Sequence, residues 1–134
     1  MTRFQRAMQT EFVRSGFGLT ASQLFILRYL TGCGQAKASD IAKMSGLSPG
    51  AVTQVCDELV KVGLVDRSRS TDDRRVVYIT ITVAGRERFE GIRRKRSEKL
   101  QDILYKLGVA DAQEFARILS RVVDIVETDL STKR

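Results

Sequence analysis

The run Leu47-Ser48-Pro49-Gly50-Ala51-Val52-Thr53 contains the strongest helix-start signal in the chain. Serine at the N-cap offers an oxygen to a free backbone N–H, and proline fits the first helical position, where its missing N–H costs nothing. The helix is predicted to end at Lys61–Val62, with Gly63 as its C-cap. A shorter predicted helix over 39–45, ended by Gly46, precedes it. Two helices joined by a tight glycine-containing turn form a helix-turn-helix candidate.

The segment after these two helices predicts a β-hairpin. Residues 64–69 can form one strand, and the β-branched run 75–82 alternates Val77, Ile79 and Ile81 in the manner of a half-buried second strand. The polar stretch between them is rich in turn-forming residues. A hairpin directly after a helix-turn-helix is a wing, and the order helix, helix, hairpin is much more specific than any one part.

Two helices are predicted before the helix-turn-helix. The first covers 3–15 and carries apolar residues at helical spacing. Thr20 and Gln23 then form a capping-box pattern, with a hydroxyl at the N-cap and an amide three residues later. The helix that they open is predicted to end at Gly32-Cys33-Gly34.

Beyond Thr82 the chain is predicted to be helical to its end, with one break at Gly108. The run Asp111-Ala112-Gln113-Glu114 fits a second capping box, which is predicted to open the last helix. That helix carries a wide apolar stripe, and a small domain has little left to cover it. Burial against a second copy of the chain is the economical explanation. The stripe consists of Phe115, Ile118, Leu119, Val122, Ile125, Val126 and Leu130.

Composition narrows the class of protein. The length of 134 residues and a hydrophobic fraction of 43% fit one compact domain. The N-terminus lacks the apolar stretch of a signal peptide, and no apolar run approaches the roughly 20 residues of a membrane span. We therefore expect a cytoplasmic protein. Histidine is absent and the only cysteines are Cys33 and Cys56, so we expect no catalytic site, no metal and no cofactor.

Positive charge is concentrated in one segment. Residues 61–99 carry 12 basic and 6 acidic side chains, a net +6 of the total +7. Such clustering is typical of a surface that meets phosphate, and a solvated charged face is the alternative. The run Arg93-Arg94-Lys95-Arg96 is expected to be a solvated helix midsection. Contact with DNA, or with acidic groups of another subunit, is the alternative for that run.

Several short motifs in this sequence resemble those of the MarR family of bacterial regulators. The resemblance covers roughly residues 19–90 in motif and the whole chain in helix order. The motifs are Leu19-Thr20 with Gln23, Asp40-Ile41-Ala42, the run 47–53, Asp57-Glu58-Leu59, Gly63-Leu64-Val65-Asp66-Arg67, Asp72-Asp73-Arg74-Arg75, Ile81-Thr82 and Gly85. The chain departs from the family in its short first helix, in Lys37 at a position where a Ser or Thr cap is frequent, and in Gln54 where many members carry arginine.

The resemblance implies a homodimer whose terminal helices form the interface and whose two winged domains grip a pseudo-palindromic site. Family members usually repress nearby genes; many release DNA when a small ligand binds, and others sense oxidation through cysteine. We therefore expect a mainly α fold with a small β-hairpin wing. The winged helix-turn-helix would cover 19–85 of a single domain 1–134, flanked by dimerisation regions at 1–18 and 86–134.

The expected function is that of a sequence-specific regulator that binds double-stranded DNA as a homodimer. The expected form is a ligand-responsive repressor, with a small-molecule effector as a further partner and no membrane attachment. The interface between the two copies is predicted at Phe4, Met8, Phe12, Phe115, Leu119, Val122 and Val126.

On the recognition helix, Val52, Val55 and Leu59 share one face and should be core. Gln54 can pair bidentately with adenine, and Thr53 can contact a base, a thymine methyl or a phosphate. Alternatively, Gln54 is an exposed residue that touches nothing. Glycine and alanine nearby would allow close approach to the groove floor. The predicted DNA contacts on this helix are Ser48, Gly50, Ala51, Thr53, Gln54 and Asp57.

In the wing, Arg74 and Arg75 are the expected minor-groove and phosphate contacts, because a narrow minor groove concentrates negative potential. Arg67 and Arg69 are further candidate phosphate contacts. Asp73 is expected to orient an arginine, since a carboxylate near phosphate is repelled. In the alternative, some of these arginines pair with Asp66, Asp72 and Asp73 and only stabilise the hairpin.

Three rival functions remain on the sequence alone. A winged helix used for protein contact would have an acidic or apolar recognition face, and this one is small and polar. An enzyme could use Asp72 and Asp73, but no nucleophile or phosphate-binding loop accompanies them. An RNA binder would favour exposed aromatic residues. The phenylalanines expected instead to be core are Phe4, Phe12, Phe25, Phe89 and Phe115, which leaves Phe17 and the tyrosines.

The two cysteines have two possible interpretations. Cys56 lies beside the core face of the recognition helix, and a buried cysteine usually acts as a small inert hydrophobe. A redox sensor would need an exposed thiol with a lowered pKa. We expect the inert role for Cys56.

Overall fold

The computed structural model describes residues 1–16 and 18–133, so the prediction for Phe17 lies outside the described residues. Within these ranges the chain forms six α-helices and three β-strands. The elements are α1 (Arg3–Ser15), α2 (Ala21–Cys33), β1 (Gln35–Lys37), α3 (Ala38–Ser45), α4 (Pro49–Lys61), β2 (Val65–Arg69), β3 (Val77–Ile81), α5 (Val83–Leu107) and α6 (Val109–Thr132). The predicted order of helix-turn-helix, hairpin and long C-terminal helices is confirmed.

The start of the recognition helix α4 follows from local chemistry. The Ser48 hydroxyl accepts a hydrogen bond from the backbone N–H of Ala51 at 3.1 Å, and Pro49 occupies the first helical position. At the other end Val62 is the C-cap, so the assignment of the cap to Gly63 is wrong by one residue. Gly63 instead adopts a φ of +75°, which turns the chain toward β2 and suits a residue without a side chain.

The two proposed capping boxes had different outcomes. The Thr20 hydroxyl accepts from the Gln23 N–H at 3.1 Å, and the Gln23 amide oxygen accepts from the Thr20 N–H at 2.9 Å, which confirms the first box. The second box, Asp111-Ala112-Gln113-Glu114, is wrong because α6 already begins at Val109. Gly108, with a φ of +89°, lets the helix start directly after the turn, and Asp111 lies inside the first turn.

The three strands form one antiparallel sheet in the order β1-β3-β2. Val65 pairs with Ile81, and Arg69 pairs with Val77, so β2 and β3 form the predicted hairpin with shorter strands. Ile79 and Ile81 are buried and Val77 is half-buried, which confirms the alternation. Strand β1 was not predicted, because its three residues have only Ala36 buried and carry no periodic signal.

The chain divides into two compact units, residues 1–95 and 96–134. The first unit contains a hydrophobic core shared by α2, α3, α4 and the sheet. Its buried members are Ile26, Leu27, Leu30, Ala36, Ile41, Val52, Cys56, Leu59, Leu64, Val65, Ile79 and Ile81. Over the described ranges no polar or charged residue is buried, so apolar packing dominates this core.

Helices α1 and α6 contain no buried residue. The expectation that five phenylalanines are core is wrong for four of them: Phe4 and Phe12 in α1, Phe25 in α2 and Phe115 in α6 are exposed. Of the five, Phe89 alone packs against the core. The error arises because helical spacing identifies an apolar face without showing what covers it. None of the described helices is long and apolar enough to cross a membrane.

Candidate nucleic-acid interface

The recognition helix α4 has one buried and one open face. Val52 and Leu59 are buried as predicted, Cys56 joins them, and Val55 is half-buried beside the core. The predicted DNA contacts on the other face are mostly exposed. Ser48, Gly50, Thr53 and Gln54 are exposed, while Ala51 and Asp57 are half-buried. A helix held by apolar contacts on one side thus presents small and polar groups on the other.

Two features of the open face leave room for a partner. A Cβ atom built on Gly50 would meet no atom within 4 Å, so packing within the chain does not require glycine there. Thr53 is exposed, and its hydroxyl donates to the Pro49 carbonyl oxygen at 3.0 Å, which leaves the hydroxyl oxygen free to act as an acceptor. Gln54 is exposed one residue further along, and both interpretations of Gln54 stay open.

In the wing, Asp73 orients an arginine as expected. Its carboxylate accepts from the Arg75 Nε at 3.1 Å and from the Arg75 Nη2 at 3.2 Å. The Arg75 side chain remains 91% exposed. The hydrogen bonds from Arg75 also hold the pKa of Asp73 below its ordinary value. Arg74 is exposed beside this pair.

Arg67 and Arg69 make contacts within the protein. Arg67 forms an ion pair with Asp57 of α4, and its Nη2 donates to the Thr53 carbonyl oxygen at 3.4 Å. The Arg69 Nη1 donates to the Arg74 carbonyl oxygen at 3.3 Å, across the hairpin tip. The alternative prediction is that some wing arginines pair with acidic residues of the hairpin. The pair of Arg75 with Asp73 fits that alternative. Arg67, by contrast, joins the wing to the recognition helix.

Sequence reasoning missed a polar link between α2 and α4. The Gln23 Nε2 donates to the Glu58 Oε2 at 2.9 Å in a partly buried setting. The two residues are 35 positions apart, and the capping box already accounts for Gln23, so no sequence signal points to the contact. Glu58 and Asp57 are neighbours on α4, and each binds a different supporting element.

The cysteines differ in accessibility. Cys56 is 1% exposed, and burial raises the pKa of its thiol, opposed in part by the nearby Arg67. Its predicted burial beside the core is confirmed. Cys33 is exposed at the end of α2, where its Sγ donates to the Tyr29 carbonyl oxygen at 3.3 Å. Within the described residues no group of His, Cys, Asp and Glu could hold a metal ion.

The predicted dimer contacts form two exposed apolar faces, each described on its own helix. Phe4 is 72% exposed, and Met8 and Phe12 lie on the same side of α1. Phe115, Leu119, Val122 and Val126 are exposed along α6 at helical spacing.

In the basic run, Arg93, Arg94 and Lys95 are exposed and Arg96 is half-buried, and Arg93 lies 3.7 Å from the Glu90 carboxylate.

The three departures from the family pattern, in α1, at Lys37 and at Gln54, all lie within the described residues. Lys37 occupies the N-cap of α3 and makes no side-chain capping hydrogen bond there. The short α1 has 13 residues. Gln54 stands on the exposed face of α4, where its amide can both donate and accept.

Comparison with known proteins gives consistent matches. The MarR family model matches residues 19–77. The HTH-type transcriptional repressor MdtR of Bacillus subtilis (strain 168) is 33% identical over 112 residues, which cover 84% of this chain and 72% of MdtR. The crystal structure of the Bacillus subtilis YusO protein is similar with a TM-score of 0.76 and 28% identity, over 90% of this chain and 92% of YusO.

A crystal structure of a mutant MarR from E. coli in complex with operator DNA is similar in fold. Its TM-score is 0.62 at 23% identity, over 90% of this chain and 91% of that one. The curated relatives carry names of transcription regulators and not of enzymes. The motifs, the order of elements and these matches agree: the chain belongs to the MarR family of winged helix-turn-helix transcription regulators.

Proposed function

We propose that this regulator binds double-stranded DNA sequence-specifically, as a homodimer on a pseudo-palindromic operator, and represses the adjacent genes. The observation that carries the proposal is the exposed face of α4, small and polar, in contact with an arginine-bearing hairpin through the Arg67–Asp57 ion pair. A helix of this kind fits the major groove, and a charged hairpin fits the neighbouring backbone and minor groove. The MarR mutant of similar fold was crystallised in complex with operator DNA, which supports DNA binding by this chain.

In this proposal α4 reads the base edges. Gln54 pairs with an adenine through its amide, and Thr53 offers a methyl group and an acceptor oxygen to the next base. Gly50 and Ala51 allow the helix to approach the groove floor, since neither projects a long side chain. The N-terminus of α4 at Ser48 faces a phosphate, because free backbone N–H groups and the helix dipole favour an anion there.

The wing supplies charge. Arg74 and Arg75 contact phosphates and the minor groove, where the negative potential is strongest. Arg69 adds a further cation on β2. Asp73 and Asp57 take part through the arginines that they orient and not through DNA, because their carboxylates are repelled by phosphate. Arg67 contributes mainly by holding the wing against α4.

The dimer buries the apolar faces of α1 and α6 against a second copy. A solvent-exposed stripe of large aliphatic and aromatic side chains is costly in water, and its burial is strongly favourable. The proposed division assigns 19–85 to DNA binding and assigns 1–18 and 86–134 to dimerisation. A small-molecule effector that releases DNA, and a cytoplasmic location, complete the proposal, both in line with the MarR family.

The test is a binding titration of the purified protein against duplex DNA from upstream of its own gene, beside a scrambled duplex, at several salt concentrations. We expect tight binding at two chains per site and a clear preference for the upstream duplex. If binding is weak, equal for both duplexes and abolished at moderate salt, the next experiment is a selection of bound fragments from the whole genome. Failure of that selection to yield a preferred sequence would overturn the proposal.

A further inference from the structure

Gln23 holds two parts of the winged domain together with one side-chain amide. Its Oε1 accepts from the Thr20 N–H at 2.9 Å, which belongs to the N-cap of α2. Its Nε2 donates to the Glu58 Oε2 of the recognition helix, also at 2.9 Å. Because both bonds use the same amide group, the first bond limits the directions in which Nε2 can donate.

A second polar contact holds α4 from another direction. Asp57, the residue before Glu58, pairs with Arg67 of β2, and Arg67 also reaches the Thr53 carbonyl oxygen. Adjacent residues of an α-helix point about 100° apart around its axis. The two contacts therefore restrain the helix from two sides, one turn beyond Thr53 and Gln54.

Apolar packing tolerates small rotations of a helix better than polar contacts do. The buried face of α4 consists of Val52, Cys56 and Leu59, whose attraction to the core is non-directional. Hydrogen bonds and ion pairs depend on direction, and they weaken steeply when the donor turns away from the acceptor. A rotation of α4 that keeps its apolar contacts would still break the bond between Gln23 and Glu58.

We infer that Gln23 is a positioning residue for base recognition: its hydrogen bond to Glu58, opposed by the Arg67–Asp57 pair, sets the rotation of α4 about its own axis. This inference rests on the proposed function, because rotation matters only if α4 reads bases. Glu58 lies four residues after Gln54 and so on the same side of the helix. Holding Glu58 in place therefore sets the direction in which the Gln54 side chain leaves the helix.

The decisive variant is Gln23→Glu. Glutamate serves a capping box as well as glutamine does, so the N-cap of α2 is retained. Its carboxylate, however, faces that of Glu58, and like charges at hydrogen-bond distance repel. We expect the ratio of affinities for specific and scrambled duplexes to fall about tenfold, equivalent to the removal of one good base contact. The specific duplex is one selected by the wild-type protein from a random pool.

The double variant Gln23→Glu with Glu58→Gln tests the contact itself. It reverses the polarity of the hydrogen bond, with the new amide donating to the new carboxylate, and we expect the wild-type ratio to return. Gln5→Glu is the matched control, because Gln5 forms the same kind of box with Thr2 at an exposed position of α1. It adds the same charge and should leave the ratio unchanged.

The outcomes separate this inference from the proposed function. If the wild-type protein selects no sequence, the proposed function fails. If it selects one but Gln23→Glu discriminates equally well, or Glu58→Gln does not restore discrimination, Gln23 has no positioning role. Circular dichroism checks that each variant is folded. Should Gln23→Glu not fold, Glu58→Met removes the acceptor from the other side, and normal discrimination by that variant would equally overturn the inference.

Discussion

The Asp73 carboxylate binds Arg75 through three hydrogen bonds, from the backbone N–H at 3.0 Å, from Nε at 3.1 Å and from Nη2 at 3.2 Å. A carboxylate that engages one edge of a guanidinium leaves the remaining N–H groups directed outward. In the proposed complex Arg75 therefore meets DNA with its orientation already fixed, and less side-chain entropy is lost on binding.

Replacing Arg75 with alanine should weaken binding to every DNA sequence. Removing one phosphate interaction reduces the slope of log affinity against log salt by about one unit, so the slope for a dimer should fall by about two. The measurement is a salt titration of the variant beside the wild-type protein. Asp73→Ala is the companion variant. It keeps the Arg75 guanidinium, so the salt slope should be retained while the affinity for DNA falls. Unchanged affinity of Arg75→Ala would remove the wing from the interface.

DNA affinity should be nearly independent of pH between about pH 6 and about pH 8, because the sequence has no histidine, the side chain that usually titrates there. Arg75 lowers the pKa of Asp73. The contribution of this pair to folding stability is therefore complete above the ordinary carboxyl pKa, and it disappears only as pH falls through the lowered pKa. Titrations at constant ionic strength test this. A midpoint near about pH 6.5 would contradict it.

Leu119→Asp should dissociate the dimer and abolish operator binding. The change places a charge in the middle of the apolar stripe of α6, where burial in an interface would strip it of water. Sedimentation analysis measures the oligomeric state. Ser120→Asp, one residue along and outside that stripe, adds the same charge and should leave the dimer intact. A stable dimer of Leu119→Asp that still binds DNA would show that α6 is not the interface.

Gly85→Ala and Gly91→Ala should change stability in opposite directions although both residues lie in α5. A Cβ on Gly85 would clash with the Leu64 carbonyl oxygen and lie 2.8 Å from the Ile81 Cγ1, a strain of about 1–3 kcal/mol. A Cβ on Gly91 meets no atom within 4 Å, so alanine should stabilise the helix by about 0.5–1 kcal/mol. Urea unfolding of both variants measures the difference. Equal stability would contradict the close approach of α5 to Leu64.

A thiol reagent should modify Cys33 rapidly and Cys56 only after unfolding, because Cys33 is exposed and Cys56 is buried. Burial raises the pKa of Cys56, so its contribution to stability is complete below the ordinary thiol pKa of about 8.5 and declines as pH rises above it. In the Cys33→Ser variant, any labelling that remains occurs at Cys56. Rapid labelling of the folded Cys33→Ser protein would show that Cys56 is accessible and reopen the oxidation-sensing interpretation.

Features that depend on residues close in sequence could be predicted. The start of α4 at Pro49 depends on a bond between Ser48 and Ala51, three positions apart. The alternation of Ile79 and Ile81 likewise specifies a half-buried strand. These signals are local, and no distant part of the chain overrides them.

Features that depend on contacts between residues far apart in the sequence could not be predicted from it. Strand β1 exists because Gln35 pairs with Thr80, and the hydrogen bond between Gln23 and Glu58 spans 35 positions. The wrong assignment at Asp111 has a different cause, since the conformational preference of Gly108 outweighed a valid local pattern. Whether Gln54 reads a base depends on a partner outside the chain.

The absence of any buried residue in α6 has a consequence for how much protein the cell must contain. An isolated helix gains little stability in water, and most helical stability in proteins comes from a packed apolar face. If a second copy supplies that face, the ordering of α6 and the pairing of two chains are linked by mass action, and thermal stability rises with protein concentration. A regulator built in this way assembles into its dimer only once its own concentration in the cell is high enough.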